Sequence, residues 1–205
     1  MSIRKENKKK KETAILESAL TVFAKKGYAA AKISNIANMA GVGKGTIYEY
    51  HQSKEELFFS VFEWYVDSMA GRSMVEVSRL GGDPSDRLLA FMESVFNSAY
   101  TQIDSFSVFI EFWAAAGNPP TRDRYRSTLL EMYGTFSNII IRLIDEGKQT
   151  GVFRGDVDAD SVAAGLVSAM DGMMLHGWMD REFDVCTASK KFFTVLVEGM
   201  RSPKG

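Results

Sequence analysis

Apolar residues recur along most of this chain at three- and four-residue steps, the mark of helices that bury one face. The first set is Ile15, Leu16, Ala19, Leu20, Val22 and Phe23, preceded by a lysine-rich stretch of Arg4, Lys5 and Lys8 to Lys11. Lys25, Lys26 and Gly27 supply C-terminal signals for that helix, cations near free carbonyls and a glycine cap. Ile33, Ile36, Ala37 and Ala40 predict a short second helix that stops at Gly41, and Thr46 to Tyr50 predicts a third. Ser53-Lys54-Glu55-Glu56 has capping-box spacing, with Ser53 as cap and Glu56 reaching back. It opens a long helix through Leu57, Phe58, Val61, Phe62 and Tyr65 towards Leu80.

Gly81-Gly82-Asp83-Pro84 breaks the pattern, with Asp83 suited to a cap and Pro84 to a first helical position. A fifth helix then runs to about Gln102 through Leu88, Leu89, Phe91, Met92, Val95 and Phe96. Phe106, Phe109, Ile110, Phe112 and Trp113 predict a short aromatic helix ended by Gly117-Asn118-Pro119-Pro120. A longer one spans about 122–149, and a loop follows from Gly151 to Asp156. Val162, Leu166, Met170, Met173 and Met174 share a face of the penultimate helix, and Phe192, Phe193, Leu196, Val197 and Met200 mark the last. The fold class is all-α with about nine helices.

Composition narrows the class. Hydrophobic residues at 45% and charged residues at 25% of 205 positions exclude wholesale disorder. One cysteine, Cys186, excludes an intramolecular disulfide framework and fits a reducing compartment. No apolar run approaches the ~20 residues that span a bilayer, so the expectation is a cytoplasmic protein with no membrane partner. The net charge of −1 is unevenly spread: residues 1–54 carry eleven Lys/Arg against four Asp/Glu, and residues 55–205 carry fourteen against twenty-two. A basic end beside an acidic body suits a polyanion-binding head, although a solubilising lysine tail would look the same.

Two short helices joined by a tight glycine-containing turn form the helix-turn-helix pattern. A recognition helix is short, presents its N-terminal residues to base edges and is backed by a hydrophobic neighbour. Ala37, Ala40 and Ile47 suit close packing between the two helices, and Gly41 suits a turn with positive φ. Lys44, Thr46, Tyr48, Glu49 and Tyr50 cannot all be core. They supply donors, acceptors and ring faces, and backbone N–H groups near Gly43, Gly45 and Thr46 can meet a phosphate.

The run from Ile36 to His51 (Ile-Ala-Asn-Met-Ala-Gly-Val-Gly-Lys-Gly-Thr-Ile-Tyr-Glu-Tyr-His), followed by Ser53 to Leu57, closely resembles the DNA-binding domain of the TetR family of transcriptional regulators. The resemblance implies base-edge or phosphate contacts for Lys44 and Thr46, a phosphate contact for Tyr48 and a contact for Tyr50. It implies a backbone-clamping role for Lys54 and a reach to DNA for Ser34. Gly43 stands where serine or threonine is common, leaving only its amide. Glu49 either accepts from a cytosine or repels phosphate. His51 replaces a packing phenylalanine and is expected as a hydrogen-bonded packing residue. The first eleven residues are expected as a flexible arm that adds DNA contacts.

Other chemistry fails on spacing. Gly43-Lys44-Gly45-Thr46 lacks the glycine and the Ser/Thr that a phosphate-binding loop requires. Asp156, Asp158 and Asp160 mimic a calcium loop, but its sixth and twelfth positions are Ser161 and Val167, so a helix cap is expected from Asp158 or Asp160. No zinc spacing or nucleophile elbow exists. No catalytic residue, metal or cofactor is expected.

The expected division is 1–54, a basic arm and helix-turn-helix head continuing into the fourth helix, and 55–205, a helical effector-binding and dimerisation body. The resemblance implies an inducer pocket there, with candidates Phe62, Phe91, Val95, Phe96, Phe109, Phe112, Trp113, Met132, Phe136, Met170 and Met174, oriented by Tyr133, Asp171, His176 and Trp178. It also implies a dimer interface on the last two helices, built on Ala163, Leu166, Ala169, Gly172, Phe193 and Val197. The expected function is a homodimeric, ligand-responsive repressor that binds a palindromic double-stranded operator and is released by a small apolar or aromatic effector not identified by sequence. Two other readings stay open: a nonspecific architectural DNA-binding protein, and a helical small-molecule-binding protein or enzyme whose basic end is incidental.

Overall fold

The computed structural model describes residues 3–79 and 82–203. Nine α-helices are present among them: α1 Ile3–Ala30, α2 Ile33–Met39, α3 Lys44–Tyr50, α4 Lys54–Arg79, α5 Pro84–Tyr100, α6 Phe106–Gly117, α7 Arg122–Gln149, α8 Ala159–Met179 and α9 Val185–Met200. A 3-10 turn, Ile103–Ser105, precedes α6. The lysine-rich segment is the start of α1, with Lys8 to Lys11 exposed on a helix, so the expected flexible arm is corrected. Helical geometry in α1 breaks at Gly27, where φ is 73° and ψ 159°. The glycine signal was therefore correctly placed. Leu80, expected at the end of the fourth helix, and Gly81, expected in the break after it, lie outside the described residues.

Caps explain where several helices begin. Ser53 Oγ accepts from Glu56 N at 3.1 Å, but the Glu56 carboxylate does not return to the cap. It takes a two-pronged hydrogen bond from Arg124 at 2.6 and 2.9 Å instead, which corrects the reciprocal capping box. Asp83 accepts from the amides of Ser85 and Asp86 and Pro84 opens α5, as expected. Asp158 accepts from Ser161 N and caps α8, and no group of three or more potential metal ligands exists among the described residues.

Packing divides the chain into two compact units, Met1–Val66 with Asp104–Arg126 and Asp67–Ile103 with Ser127–Gly205. The first contains α1, α2, α3, α6 and the start of α4 and of α7. Its aromatic centre is Phe112, fully buried, whose ring stacks on Phe62 at 3.9 Å and meets Phe59 edge-on at 5.2 Å. Tyr125 joins the same group, 4.6 Å from Phe112 and 4.4 Å from Phe59.

In the second unit α9 packs on α5 and α8. Phe96 meets Phe193 at 5.4 Å, and Phe91 meets Phe136 at 6.4 Å. The loop after α7 turns at Gly151 (φ 75°) and buries Phe153. Arg154 N then donates to Met200 O and Ser202 N to Val152 O, both at 2.9 Å, which fastens the loop to the end of α9.

Phe153 lies against the backbone of α7 at Gly147, where an added Cβ would come within 2.2 Å of the ring. Alanine ordinarily gains about 1 kcal/mol over glycine inside a helix. Here the buried ring has to move, so Gly147→Ala is expected to destabilise by about 2 kcal/mol and to lower the melting temperature by roughly 4–8 °C. Thermal unfolding followed by circular dichroism checks this, and a rise in melting temperature would contradict it.

Candidate nucleic-acid interface

The turn from α2 to α3 is set by Gly41, with φ at 65°. Val42 N donates to Ala37 O at 3.0 Å and Gly41 N to Asn38 O at 3.3 Å, so the last turn of α2 is closed by backbone alone. Ile36, Ala37 and Ile47 are buried and join α2 to α3. Ile47 is the one buried residue of the seven in α3. At 100° per residue, Lys44, Gly45, Tyr48 and Glu49 fall on one continuous arc away from Ile47, and all four are exposed. Tyr48 is 52% exposed, too high for a core residue. Nothing lies within 4 Å of a Cβ placed at Gly43 or Gly45, so another surface can approach closely there.

Thr46 is half-buried beside this arc, and Ser34, on α2, is half-buried as well. Tyr50 is half-buried too, and its hydroxyl donates to Lys8 O at 3.4 Å while Lys8 Nζ lies 5.7 Å from the ring centroid. Tyr50 thus ties the end of α3 to the basic start of α1. Lys44, Tyr48 and Glu49 stand together on the exposed arc, Thr46 borders it next to Glu49, and Tyr50 lies between Thr46 and Ile47 around the helix.

Lys54 does something else. Its ammonium donates to the carbonyls of Tyr28, Ala29 and Ala31 at 2.8, 3.3 and 3.3 Å, and it sits 4.5 Å from the centre of the Tyr28 ring. Three donors meet three acceptors, so this lysine caps the end of α1, and the clamping role expected of it is corrected. Glu111 completes the same junction, both carboxylate oxygens accepting from Tyr28 N at 2.9 and 2.8 Å. No local signal announced either contact, because Glu111 lies 83 positions from Tyr28.

His51 packs the end of α3 at 6% exposure, but its Nε2 makes no hydrogen bond, which corrects half of the expectation. Burial lowers its pKa against the opposing charges of Glu12 and Glu56. The neutral imidazole is therefore favoured at neutral pH.

The pocket candidates separate. Phe62, Phe109, Phe112 and Trp113 belong to the first unit, and Phe62, Phe109 and Phe112 are consumed in its ring packing. Phe91, Val95, Phe96, Met132, Phe136, Met170 and Met174 are buried in the second unit, with Trp178 half-buried. There Tyr133 donates to Asp171 at 2.8 Å, and burial pushes the Asp171 pKa up to about 6. His176 is exposed and stacks on Phe183 at 3.9 Å, so it is removed from the pocket set.

The interface candidates are corrected as well. Ala163, Leu166, Phe193 and Val197 are at most 1% exposed, because they face the core of their own unit. Ala169 is half-buried and only Gly172 is exposed. The opposite face of α9 carries Phe192, Val195 and Leu196, with Val195 71% exposed, and α8 exposes Gly165, Ser168, Gly172 and Met179.

These placements separate two lysines. Lys44→Ala is expected to weaken DNA binding and to lower the slope of log affinity against log salt by about 1, with an unchanged melting temperature. Lys54→Met is expected to lower the melting temperature by several degrees, through the lost cap, and to leave the salt slope unchanged. Titrations at several salt concentrations beside thermal melts test both, and equal slopes for Lys44→Ala and the parent would count against a phosphate-facing α3.

Comparison with known proteins agrees with this geometry. Residues 15–61 match the model for bacterial regulatory proteins of the tetR family, and residues 84–190 match the C-terminal model of BetI-type transcriptional repressors. The chain is 22% identical to the transcriptional repressor KstR2 of Rhodococcus jostii, over 94% of this chain and 92% of that protein. It is 24% identical to the fatty acid metabolism regulator of Bacillus subtilis, over 95% and 98%. Among solved structures, FadR of Bacillus subtilis in complex with stearoyl-CoA shares the fold at a TM-score of 0.77, with 22% identity and coverage of 92% and 99%. A regulator from Saccharomonospora viridis in complex with choline aligns at 0.74, with 25% identity and coverage of 94% and 98%. The chain belongs to the TetR family of bacterial regulatory proteins, and it is a DNA-binding transcriptional repressor rather than an enzyme.

Proposed function

We propose that this repressor binds a palindromic operator as a homodimer, from the cytoplasm, and leaves it when a small effector occupies the second compact unit. The single observation that carries the DNA reading is the exposed arc of Lys44, Gly45, Tyr48 and Glu49 opposite buried Ile47. Two such arcs, about 34–36 Å apart, would meet successive major grooves. Ser34, Gly43, Thr46 and Tyr50 add phosphate or base-edge contacts. Among the described residues no helix is long and apolar enough to cross a membrane.

Dimerisation uses the apolar surface left open on α8 and α9. Gly165, Ser168 and Gly172 permit close helix approach, while Phe192, Val195, Leu196 and Met179 supply apolar area. The effector reading rests on Tyr133 and Asp171, a hydrogen-bonded pair in a unit whose core includes Met132, Phe136, Met170 and Met174. An apolar site with a few placed polar groups is the common form of a ligand pocket. The effector is then mainly apolar, with a donor or a cation for Asp171. Two similar proteins, crystallised with stearoyl-CoA and with choline, are consistent with a ligand-responsive body.

The test is selection of random duplex DNA by the purified protein at near-physiological salt. The expected outcome is an enriched palindrome with half-sites about one turn apart, lost on Val195→Glu together with the dimer in sedimentation. Enrichment of an undivided site by a monomer would sink the dimer reading.

A second expectation concerns pH. Asp171 is raised from 3.8 to about 6 in the folded chain, so the folded state holds this proton more tightly than the unfolded one. The stability it contributes is fully present below about pH 4 and disappears as pH rises through about 6. Between pH 5 and 7.5 the loss is about 1 kcal/mol. Asp171→Asn keeps an acceptor for Tyr133 and is expected to abolish that part of the pH dependence in thermal melts. A parallel pH profile for the two proteins would contradict it.

A further inference from the structure

The first compact unit has an open cleft of about 390 Å³, beside the end of α1 and in the same unit as the recognition helix. Tyr28, Phe58 and Tyr125 present rings to it, and Glu55 and Glu111 present carboxylates. No lysine, arginine or histidine is among the residues that line it. Its size is at the lower end of the range for small-molecule sites.

Three observations fix the chemistry of an occupant. The first is charge. Glu55 makes no hydrogen bond or ion pair among the described residues, and Glu111 is met by a single amide, that of Tyr28. The nearest cation is Lys54, which is spent on three carbonyls of the α1 end, and Arg124 is paired with Glu56. Two carboxylates against one ammonium leave one negative charge in excess. The second is the aromatic wall, whose ring faces attract cations through their quadrupoles. The third is Tyr125, which is 4% exposed yet donates its phenol hydroxyl to no described residue. Burial, with the nearby Glu55 charge, pushes that phenol up to about 12, so it stays a neutral donor and acceptor. Its hydroxyl, with no protein partner among the described residues, is open to the cleft and free to donate to or accept from a polar occupant.

We infer that this cleft is a binding site for a small organic monocation, an alkylammonium or N-methylated ammonium, held by Glu55 and Glu111 against the rings of Tyr28, Phe58 and Tyr125. The site is separate from the Tyr133–Asp171 pair and does not depend on that reading. A bare metal ion is a poorer occupant, since two carboxylates and an aromatic wall offer too few hard oxygen ligands. An anion would face the excess negative charge unpaired.

Calorimetric titration of the full chain at fixed ionic strength tests this, with tetramethylammonium and n-butylammonium as cations and tert-butanol and n-butanol as neutral partners of similar shape. The expected result is saturable binding of at least one cation, tenfold or more tighter than its alcohol. Glu55→Gln is expected to weaken cation binding at least tenfold with circular dichroism and melting temperature retained. Glu111→Gln, whose amide oxygen still accepts from Tyr28 N, serves as the second variant should the first fold poorly. Absence of saturable cation binding, equal affinity for the alcohols, or cation affinity unchanged in the folded variants would each overturn the proposal.

Discussion

Burial of the Phe112 ring is the contact on which the first compact unit depends. It lies between Phe58, Phe59, Phe62 and Tyr125, with ring centres 3.9 to 5.8 Å away, and it brings α6 against the start of α4. A head of fifty-odd residues has little apolar surface to bury by itself and is marginal at that size. The aromatic helix after residue 105 supplies the missing surface, and α6 also packs on α1. The compact unit that contains α2 and α3 is thus completed by residues 104–126. A division by role at residue 54 and a division by packing are different divisions here.

Around that centre, polar satisfaction determines which side chains remain available. The end of α1 leaves carbonyls that need donors, and Lys54 meets three of them. The Tyr28 amide needs an acceptor and finds Glu111. Glu56 could have closed its own cap but is taken by Arg124, whose guanidinium also lies 3.7 Å over Phe59. Lys54 and Arg124, engaged in this way, hold the helices together and are lost to ligands. Those left on the surface of α3, Lys44 and Glu49, have no such task and are available to DNA.

The second unit shows how periodicity can mislead. α9 carries apolar residues on two faces, Phe193 and Val197 inward and Phe192, Val195 and Leu196 outward. Sequence spacing identifies both sets as helical but cannot say which one meets α5. The candidates Leu166, Phe193 and Val197 were the inward set, because the most apolar positions of a helix are those its own core takes first. An exposed second face is then the informative observation, since isolated exposed apolar residues are ordinary but a row of them on adjacent turns is not.

Sequence alone determined the helices and the reading head. Apolar spacing, Asp83-Pro84, Asp158 and the glycines at 27, 41 and 151 are local signals, and a helix and its caps are decided within a few residues. The run from Ile36 to Tyr50 carries both the turn and the exposed chemistry, so the recognition helix was legible too, down to buried Ile47. Tertiary structure decided what each long side chain does. Lys54 became a cap, His51 a buried neutral ring and His176 a surface residue. The cleft beside Tyr125 arose from residues up to 97 positions apart. Such contacts depend on which helices meet and at what register, and that is chosen by packing of the whole unit, for which no short stretch of sequence carries a signal.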